Sequence, residues 1–171
     1  KLLGQLQDKG NTVTIAHYLD VLREAGLIVG LQKHAGQHLR QRSSSPKLIA
    51  QNTALISATS GYSRRDASID RSYWGRMVES AVGAHLYNSR RSDCQIQYWR
   101  ASPYEVDFVI SRGRNLSLVE VKSSAKSTSS VSQVGAFAEF ERQFGACSKH
   151  LVGDGGVSVA EFLSYPAEHW L

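Results

Sequence analysis

The hydrophobic pattern of this chain changes its period near residue 95, and this change restricts the fold more than any other feature. Before that point apolar residues recur at the spacing of an amphipathic helix, whereas after it they alternate with polar residues at the period of two that is typical of strands. The segments that follow the pattern are a helix at 72–87, strands at 95–99, 105–110 and 116–122, a helix at 131–144 and a strand at 150–153. The sequence therefore predicts an α/β (α+β) fold with a small sheet.

The first third of the chain has a different order of elements. A helix is predicted from residue 12 to residue 25, where Gly26 provides a C-terminal stop, and apolar strands at 27–31 and 47–50 flank a loop of basic and small residues. Helix, turn, helix and two-stranded hairpin is the order of a winged helix, which can contact DNA or another protein. The predicted organisation is a winged-helix-like segment over 1–57, a polar linker over 58–71 and a second domain over 72–171.

The net charge of +5 is concentrated in the first part of the chain. Residues 1–60 hold seven Lys and Arg against three Asp and Glu, a balance of +4, whereas the remaining residues hold thirteen against twelve. A basic segment beside a nearly neutral one is typical of a nucleic-acid-binding arm, although it also describes an ordinary basic surface. The predicted DNA contacts lie near the loop of the hairpin and are Lys33, Arg40, Arg42 and Lys47.

Composition excludes several classes of protein. Hydrophobic residues make up 42% of the chain and charged residues 20%, unlike a disordered tail, a collagen or a coiled coil. No run approaches the roughly 20 apolar residues that a membrane span needs, so we expect no membrane partner. Two cysteines are too few for a disulfide scaffold or a cysteine-rich zinc site, which favours a cytoplasmic location. Because the chain begins at Lys1, we expect it to be part of a longer protein.

Two of the predicted strands are close enough in sequence to form an antiparallel hairpin. With Ile110 opposite Ser117, residues 112–115 form the loop and Asp107 lies directly opposite Glu120. Apolar residues flank both carboxylates, which indicates that the strands are buried on at least one face. Adjacent carboxylates repel each other and are costly to bury unless a cation lies between them. Without a cation, removal of one of the two charges is expected to leave the stability unchanged or to raise it.

A divalent cation would explain this pair, and two further charged residues lie near it. Lys122 shares a strand face with Glu120, and Glu79 lies on the helix that precedes the sheet. Asp107, Glu120 and Glu79 are predicted to bind Mg²⁺ or Mn²⁺, which makes a bound water acidic enough to attack a phosphodiester. Lys122 is predicted to orient that water or to stabilise charge on the phosphate oxygens. From the residues alone, the alternative is a solvated salt bridge on an exposed sheet face.

These residues, in this order, resemble the PD-(D/E)XK nuclease superfamily, whose core is αβββαβ. Glu79 corresponds to the acid of the first helix, Asp107 to the aspartate, and Glu120-Val121-Lys122 to the E-x-K motif. Val106 stands where the name of the superfamily has proline. The whole chain is also similar to the C-terminal region of bacterial and archaeal AAA-type ATPases that carry a domain of unknown function. The motifs of this second resemblance are Ser45-Pro46-Lys47-Leu48, Asn52-Thr53-Ala54-Leu55, Gly75-Arg76-Met77-Val78-Glu79, Tyr98-Trp99-Arg100, Glu105-Val106-Asp107-Phe108-Val109 and Val119-Glu120-Val121-Lys122-Ser123-Ser124.

The resemblance implies a restriction-endonuclease-like core after the winged-helix-like segment, with Glu79, Asp107, Glu120 and Lys122 as its catalytic residues. It also implies DNA as the substrate and an ATPase domain upstream, since this sequence contains no phosphate-binding loop for a nucleotide. The leading prediction is a Mg²⁺- or Mn²⁺-dependent DNA endonuclease module of an AAA-type ATPase. The alternative is a non-catalytic module that binds DNA or protein and regulates the attached ATPase.

Overall fold

The computed structural model describes residues 12–36, 44–122 and 130–171. Within these residues the chain is a mixed α/β structure with two open sheets, which confirms the predicted α/β class. The described helices are α1 (Thr12–Glu24), α2 (Thr53–Ser60), α3 (Arg64–Ile69), α4 (Arg71–Ser89), α5 (Ser130–Phe144) and α6 (Val159–Phe162), followed by a 3₁₀ helix at Ala167–Trp170. The described strands are β1 (Ile28–Leu31), β2 (Lys47–Ala50), β3 (Gln95–Ala101), β4 (Tyr104–Arg112), β5 (Asn115–Lys122) and β6 (Ser148–Gly153).

The first sheet is the hairpin that the N-terminal pattern predicts. Gly26 follows α1 with a φ of 68°, in the left-handed region that glycine adopts most easily. Strands β1 and β2 then pair antiparallel, from Ile28 opposite Ala50 to Leu31 opposite Lys47, so the predicted hairpin is confirmed. Residues 1–11, the first part of the segment predicted to be winged-helix-like, and much of the loop between the strands lie outside the described residues.

The segment predicted as a linker, residues 58–71, contains helical structure. It holds the end of α2, all of α3 and the start of α4, and its polar residues act as helix caps. Ser63 and Asp66 form a capping box at the start of α3, and Asp70 accepts a hydrogen bond from the Tyr73 backbone N–H at the start of α4. The polar composition of this segment therefore reflects closely spaced helix ends.

The second sheet has the strand order β3-β4-β5-β6 and is antiparallel except for the parallel pair of β5 and β6. Its central hairpin has the predicted register, with Ile110 opposite Ser117. The pairing extends to Arg112 opposite Asn115, so the loop is shorter than predicted, and Gly113 adopts the φ of 59° that such a tight turn requires. Because parallel strands need a crossover connection, helix α5 connects β5 to β6. The helix packs against β4.

A bulge in the pairing of β3 with β4 lies at the position of Asp107. Between the pair Gln97–Val109 and the pair Trp99–Val106, one residue of β3 faces two residues of β4. Such a bulge bends the longer strand and changes the direction of its side chains. Asp107 therefore leaves the regular alternation at the place where it approaches β5.

The second sheet is covered on both faces. Val106 packs in the apolar cluster on the side of α5, whereas Phe108, only two residues further along, packs in the cluster on the side of α4, since the bulge separates them. The first cluster comprises Trp99, Val106, Val109, Leu118, Ala136 and Phe140. The second comprises Val29, Leu31, Ile49, Val82, Leu86, Cys94, Ile96, Tyr98, Phe108, Ile110, Val119, Val152, Phe162, Ala167 and Trp170. The second cluster thus crosses the predicted boundary between the N-terminal segment and the second domain.

The chain that follows β1 joins the edge of the second sheet. The Tyr98 N–H donates to the Gln32 carbonyl at 3.1 Å, and the His34 N–H donates to the Tyr98 carbonyl at 2.7 Å. Together these bonds form a parallel bridge between Lys33 and Tyr98. The N-terminal hairpin is therefore fixed beside β3 by backbone bonds as well as by apolar packing.

Helix α4 packs closely against the second sheet at Gly83. A Cβ atom at this position would lie 2.8 Å from two carbons of the Phe108 ring and 3.2 Å from Ile49 Cδ1, so the approach depends on glycine. Glu79 precedes Gly83 by one turn and lies on the same helix face. The glycine therefore allows α4 to carry Glu79 to the end of the sheet.

Candidate active site

One group of contacts joins the four predicted catalytic residues to Lys47. We call this group, Lys47, Glu79, Asp107, Glu120 and Lys122, the charged cluster. Glu79 comes from α4, Asp107 from β4, Glu120 and Lys122 from β5, and Lys47 is the first residue of β2. Their side chains are 11–34% exposed. The charged cluster is therefore screened less than a surface ion pair, while solvent still reaches it.

Backbone groups hold Asp107 and Glu120 next to each other. The Val121 N–H donates to Asp107 Oδ2 at 3.0 Å, and the Asp107 N–H donates to Glu120 Oε2 at 3.4 Å. The two residues lie just beyond the last backbone pair of the hairpin, which is Phe108 with Val119. Their carboxylates thus continue the hydrogen bonding between β4 and β5 at the point where the main-chain ladder ends.

Lys122 neutralises the carboxylate on its own strand. Its Nζ donates to Glu120 Oε1 at 3.0 Å, and the two side chains are only 19% and 11% exposed. The contact follows from the alternation of a strand, which places residues two apart on one face. Glu120 is therefore bound by an ammonium on one oxygen and by a backbone N–H on the other.

Lys47 joins the other two carboxylates. Its Nζ lies 2.5 Å from Glu79 Oε1, 3.3 Å from Asp107 Oδ1 and 3.4 Å from the main-chain oxygen of Asp107. The same ammonium lies 4.9 Å from the centre of the Phe108 ring, which adds a cation–π contact. The sequence predicts Lys47 as a DNA contact and gives no indication of this position. The only available signal was the motif Ser45-Pro46-Lys47-Leu48, to which no role could be attached.

Charge compensation changes what is expected of the two central carboxylates. Burial lowers the pKa of Lys47, but the charges of Asp107, Glu79 and Glu105 and the hydrogen bond to Glu79 together raise it by more, so its pKa lies above the usual value. Lys47 is therefore charged at neutral pH and offsets the repulsion between the acids. Replacement of the Asp107 carboxylate by an amide would leave one oxygen in place of two, so either Lys47 or the Val121 N–H would lose its acceptor, and Lys47 would lose an ionised partner. For this arrangement we therefore expect such a loss to lower the stability, whereas the acid pair considered alone led to the expectation of unchanged or raised stability.

The donor set of the charged cluster fits a hard divalent cation. Asp107, Glu120 and Glu79 offer carboxylate oxygens, which are the ligands that Mg²⁺ and Mn²⁺ prefer. The position between Glu79 and Asp107 is held by the Lys47 ammonium. In the part of the chain that the structure describes, no three His, Cys, Asp or Glu side chains are grouped so that they could hold a metal ion directly. The chemistry of the donors thus suits a metal, while their present arrangement suits an ammonium.

The structure describes two of the four predicted DNA contacts. Lys33 and Lys47 line a cleft of about 380 Å³ that adjoins the charged cluster. Arg40 and Arg42 lie outside the described residues, so their role stays a prediction. The other residues that line the cleft are Ser44, Ser45, Pro46, Tyr98, Arg100 and Glu105. Sequence reasoning did not select Arg100, whose guanidinium donates to Glu105 Oε2 at 2.6 and 2.9 Å at the mouth of this cleft.

By its fold and its site, this is a mixed α/β protein with a lysine-compensated carboxylate cluster at the end of a four-stranded sheet. A sequence profile described as Domain of unknown function (DUF4143) matches residues 74–161, just over half of the chain. The chain therefore belongs to the DUF4143 family. The matched residues include the four predicted catalytic residues but not Lys47.

Other comparisons add little to this result. Neither a curated protein nor a solved structure matches the chain. Domains of the DUF4143 type often occur together with AAA-type ATPases. None of the described helices combines the length and the apolar composition that crossing a membrane requires.

Proposed function

We propose that the chain is a metal-dependent DNA endonuclease module of an AAA-type ATPase. The observation that carries the proposal is the charged cluster, in which Glu79, Asp107, Glu120 and Lys122 meet at one end of the sheet. The chain order α4, β3, β4, β5, α5, β6 supports a restriction-endonuclease-like αβββαβ core. The order of α1, β1 and β2 supports a winged-helix-like segment before it. The occurrence of the family with AAA-type ATPases supports the proposed partner.

In this proposal the residues of the charged cluster divide the work of phosphodiester hydrolysis. Bound Mg²⁺ or Mn²⁺ supplies Lewis acidity for the phosphate and for the attacking water. Asp107 and Glu120 hold the cation through carboxylate oxygens, and Glu79 holds the cation or the water from the side of α4. Lys122 orients the attacking water or stabilises the negative charge that develops on the phosphate oxygens.

A second candidate function is a non-catalytic module that binds DNA or protein and regulates the attached ATPase. The observation that favours it is the neutralisation of the carboxylates by Lys47 and Lys122, which allows the charged cluster to exist without a metal. For either function we propose a cytoplasmic location, in which Cys94 and Cys147 remain free thiols.

The substitution Asp107→Asn distinguishes the two candidate functions. We expect the wild-type protein to nick supercoiled plasmid DNA in Mg²⁺ or Mn²⁺, and the variant to nick it at least about 100-fold more slowly, because it lacks the charge that holds the cation. We also expect the variant, without metal, to lose about 1–3 kcal/mol of unfolding free energy, since the part-buried Lys47 loses an ionised partner. Plasmid gels and denaturant unfolding measure the two effects.

The matched control for this experiment is Asp93→Asn. Asp93 pairs at 2.8 Å with Arg112, the last residue of β4, and is half exposed, so its loss should leave nicking unchanged. If the wild-type protein joined to its upstream ATPase domain nicks DNA in neither metal, the nuclease function is wrong and the regulatory module replaces it.

DNA binding by the basic N-terminal part should depend strongly on salt. We expect the affinity for duplex DNA to fall as salt rises, because phosphate contacts release counterions. Reversing the charges of Arg40 and Arg42 together should weaken binding at least about tenfold on every sequence. Fluorescence anisotropy at two salt concentrations measures both effects, and reversal of Arg64 and Arg65 on α3 is the control. An affinity for DNA that does not depend on the salt concentration, or no binding at low salt, would favour a winged helix that contacts protein.

A further inference from the structure

We propose that Lys47 competes with the divalent cation for the carboxylates of the charged cluster, so that the N-terminal hairpin controls metal entry. Without metal, its ammonium bridges Glu79 and Asp107, and it must leave them before a cation can bind both. The inference rests on the proposed function, because it concerns the same site. It assigns to Lys47 a regulatory role in addition to any contact with DNA.

The contacts of Lys47 show why both cations cannot share the position. The ammonium nitrogen lies 2.5 Å from Glu79 Oε1 and 3.3 Å from Asp107 Oδ1. A Mg²⁺ ion binds carboxylate oxygens at about 2.0–2.1 Å, so an ion on either oxygen would stand next to a like charge with little solvent between them. With 19% of its side chain exposed, Lys47 is screened only partly from such an ion. Binding of a cation between Glu79 and Asp107 therefore requires the ammonium to move.

The cleft beside the charged cluster gives Lys47 a second position. Lys47 lines this cleft together with Lys33 and Arg100. Rotation about its own side-chain bonds can carry the ammonium from the carboxylates into the cleft, where a phosphate of a bound strand would accept it. A phosphodiester in the cleft and a cation in the charged cluster then strengthen each other's binding, because both favour the same position of the Lys47 ammonium, in the cleft and away from the carboxylates.

The first test measures the affinity for Mn²⁺ alone, from the electron paramagnetic resonance signal of the free ion. We expect Lys47→Met to bind Mn²⁺ at least about tenfold more tightly than the wild-type protein, because the competing ammonium is gone. Lys47→Arg keeps the competing charge and should bind like the wild type. Lys33→Met removes one positive charge from the same cleft and controls for the general electrostatic effect of such a loss. Its affinity for Mn²⁺ should stay within about twofold of the wild-type value.

Two outcomes of this test would overturn the inference, and they differ in what they say of the proposed function. If Lys47→Met binds no more tightly than the wild type while Asp107→Asn weakens binding, the metal site stands and the competition does not. If neither the wild type nor Lys47→Met binds Mn²⁺, the inference fails together with the proposed metal site.

A second measurement uses the wild-type protein and does not depend on the folding of Lys47→Met. Acetylation of individual lysines by an activated ester, followed by mass spectrometry, reports how accessible each ammonium is. We expect saturating Mn²⁺ to speed the labelling of Lys47 at least about threefold, since it releases the side chain, and to leave Lys33 unchanged. An unchanged rate at Lys47 with Mn²⁺ bound would overturn the inference.

Discussion

Replacing Lys122 with alanine is expected to slow metal-dependent nicking of plasmid DNA by at least about 100-fold, while the protein still folds and binds DNA. Lys122 is the ammonium that contacts Glu120, whereas Lys47 contacts Glu79 and Asp107 and, when metal displaces it, moves into the neighbouring cleft. Lys47 therefore does not take the place of Lys122 beside Glu120. DNA binding should persist because Lys122 is one of 20 Lys and Arg residues. Rates of plasmid nicking and anisotropy of labelled duplex DNA measure the two properties.

Two further variants separate catalysis by Lys122 from its structural contact with Glu120. Lys122→Arg keeps a positive charge beside Glu120 and should retain the stability, yet nick slowly, because a guanidinium does not reproduce the position of the ammonium. Lys149→Ala removes a lysine of β6 that pairs with Glu141 at 2.7 Å, and it should leave nicking unchanged. Wild-type nicking by Lys122→Ala would show that Lys122 only neutralises Glu120.

Gly83→Ala is expected to destabilise the protein by about 2–3 kcal/mol, although the same substitution in an exposed helix stabilises it by about 1 kcal/mol. The added Cβ would lie 2.8 Å from the Phe108 ring, which is fully buried and cannot move aside freely. The helix must then shift, and Glu79, one turn before Gly83, shifts with it away from Lys47. Denaturant unfolding measures the loss of stability, and Mn²⁺ affinity reports the displacement of Glu79.

The control for Gly83→Ala is Ser80→Ala, which also introduces alanine on the same helix and raises the helix propensity by less. We expect it to alter the unfolding free energy by less than about 0.5 kcal/mol. A stabilising effect of Gly83→Ala would show that α4 does not depend on the close approach to the sheet, and the explanation given for the position of Glu79 would then fail.

The register of the central hairpin could be predicted from the sequence because a slip by one residue would turn its apolar residues to the wrong faces. That argument favours registers such as Ile110 opposite Ser117, which is the pair observed and which brings Asp107 near Glu120. The length of the loop could not be predicted in the same way. It depends on whether Gly113 adopts a positive φ, which the composition of the loop permits but does not require.

Two parts of the candidate site could not be predicted. The bulge in β4 could not be predicted, because a period-of-two pattern assumes a regular strand. Val106 and Phe108 are apolar and would share a face of a regular strand, whereas in the structure they pack on opposite faces across the bulge. Lys47 reaches Asp107 from 60 residues earlier in the chain, and no local pattern reports such a contact. Helix α3 is a different case, because Ser63 and Asp66 have the spacing of a capping box and could have revealed it.

The apolar cluster that joins the N-terminal hairpin to α4 limits how such a chain can change during evolution. Val29, Leu31 and Ile49 are buried in the same cluster as Val82 and Phe108. A recombination event that exchanged the hairpin without the sheet would expose this apolar surface. The same event would remove the Lys47 ammonium from the carboxylates of Glu79 and Asp107. We therefore expect the two segments to be inherited together, with substitutions in one followed by compensating substitutions in the other.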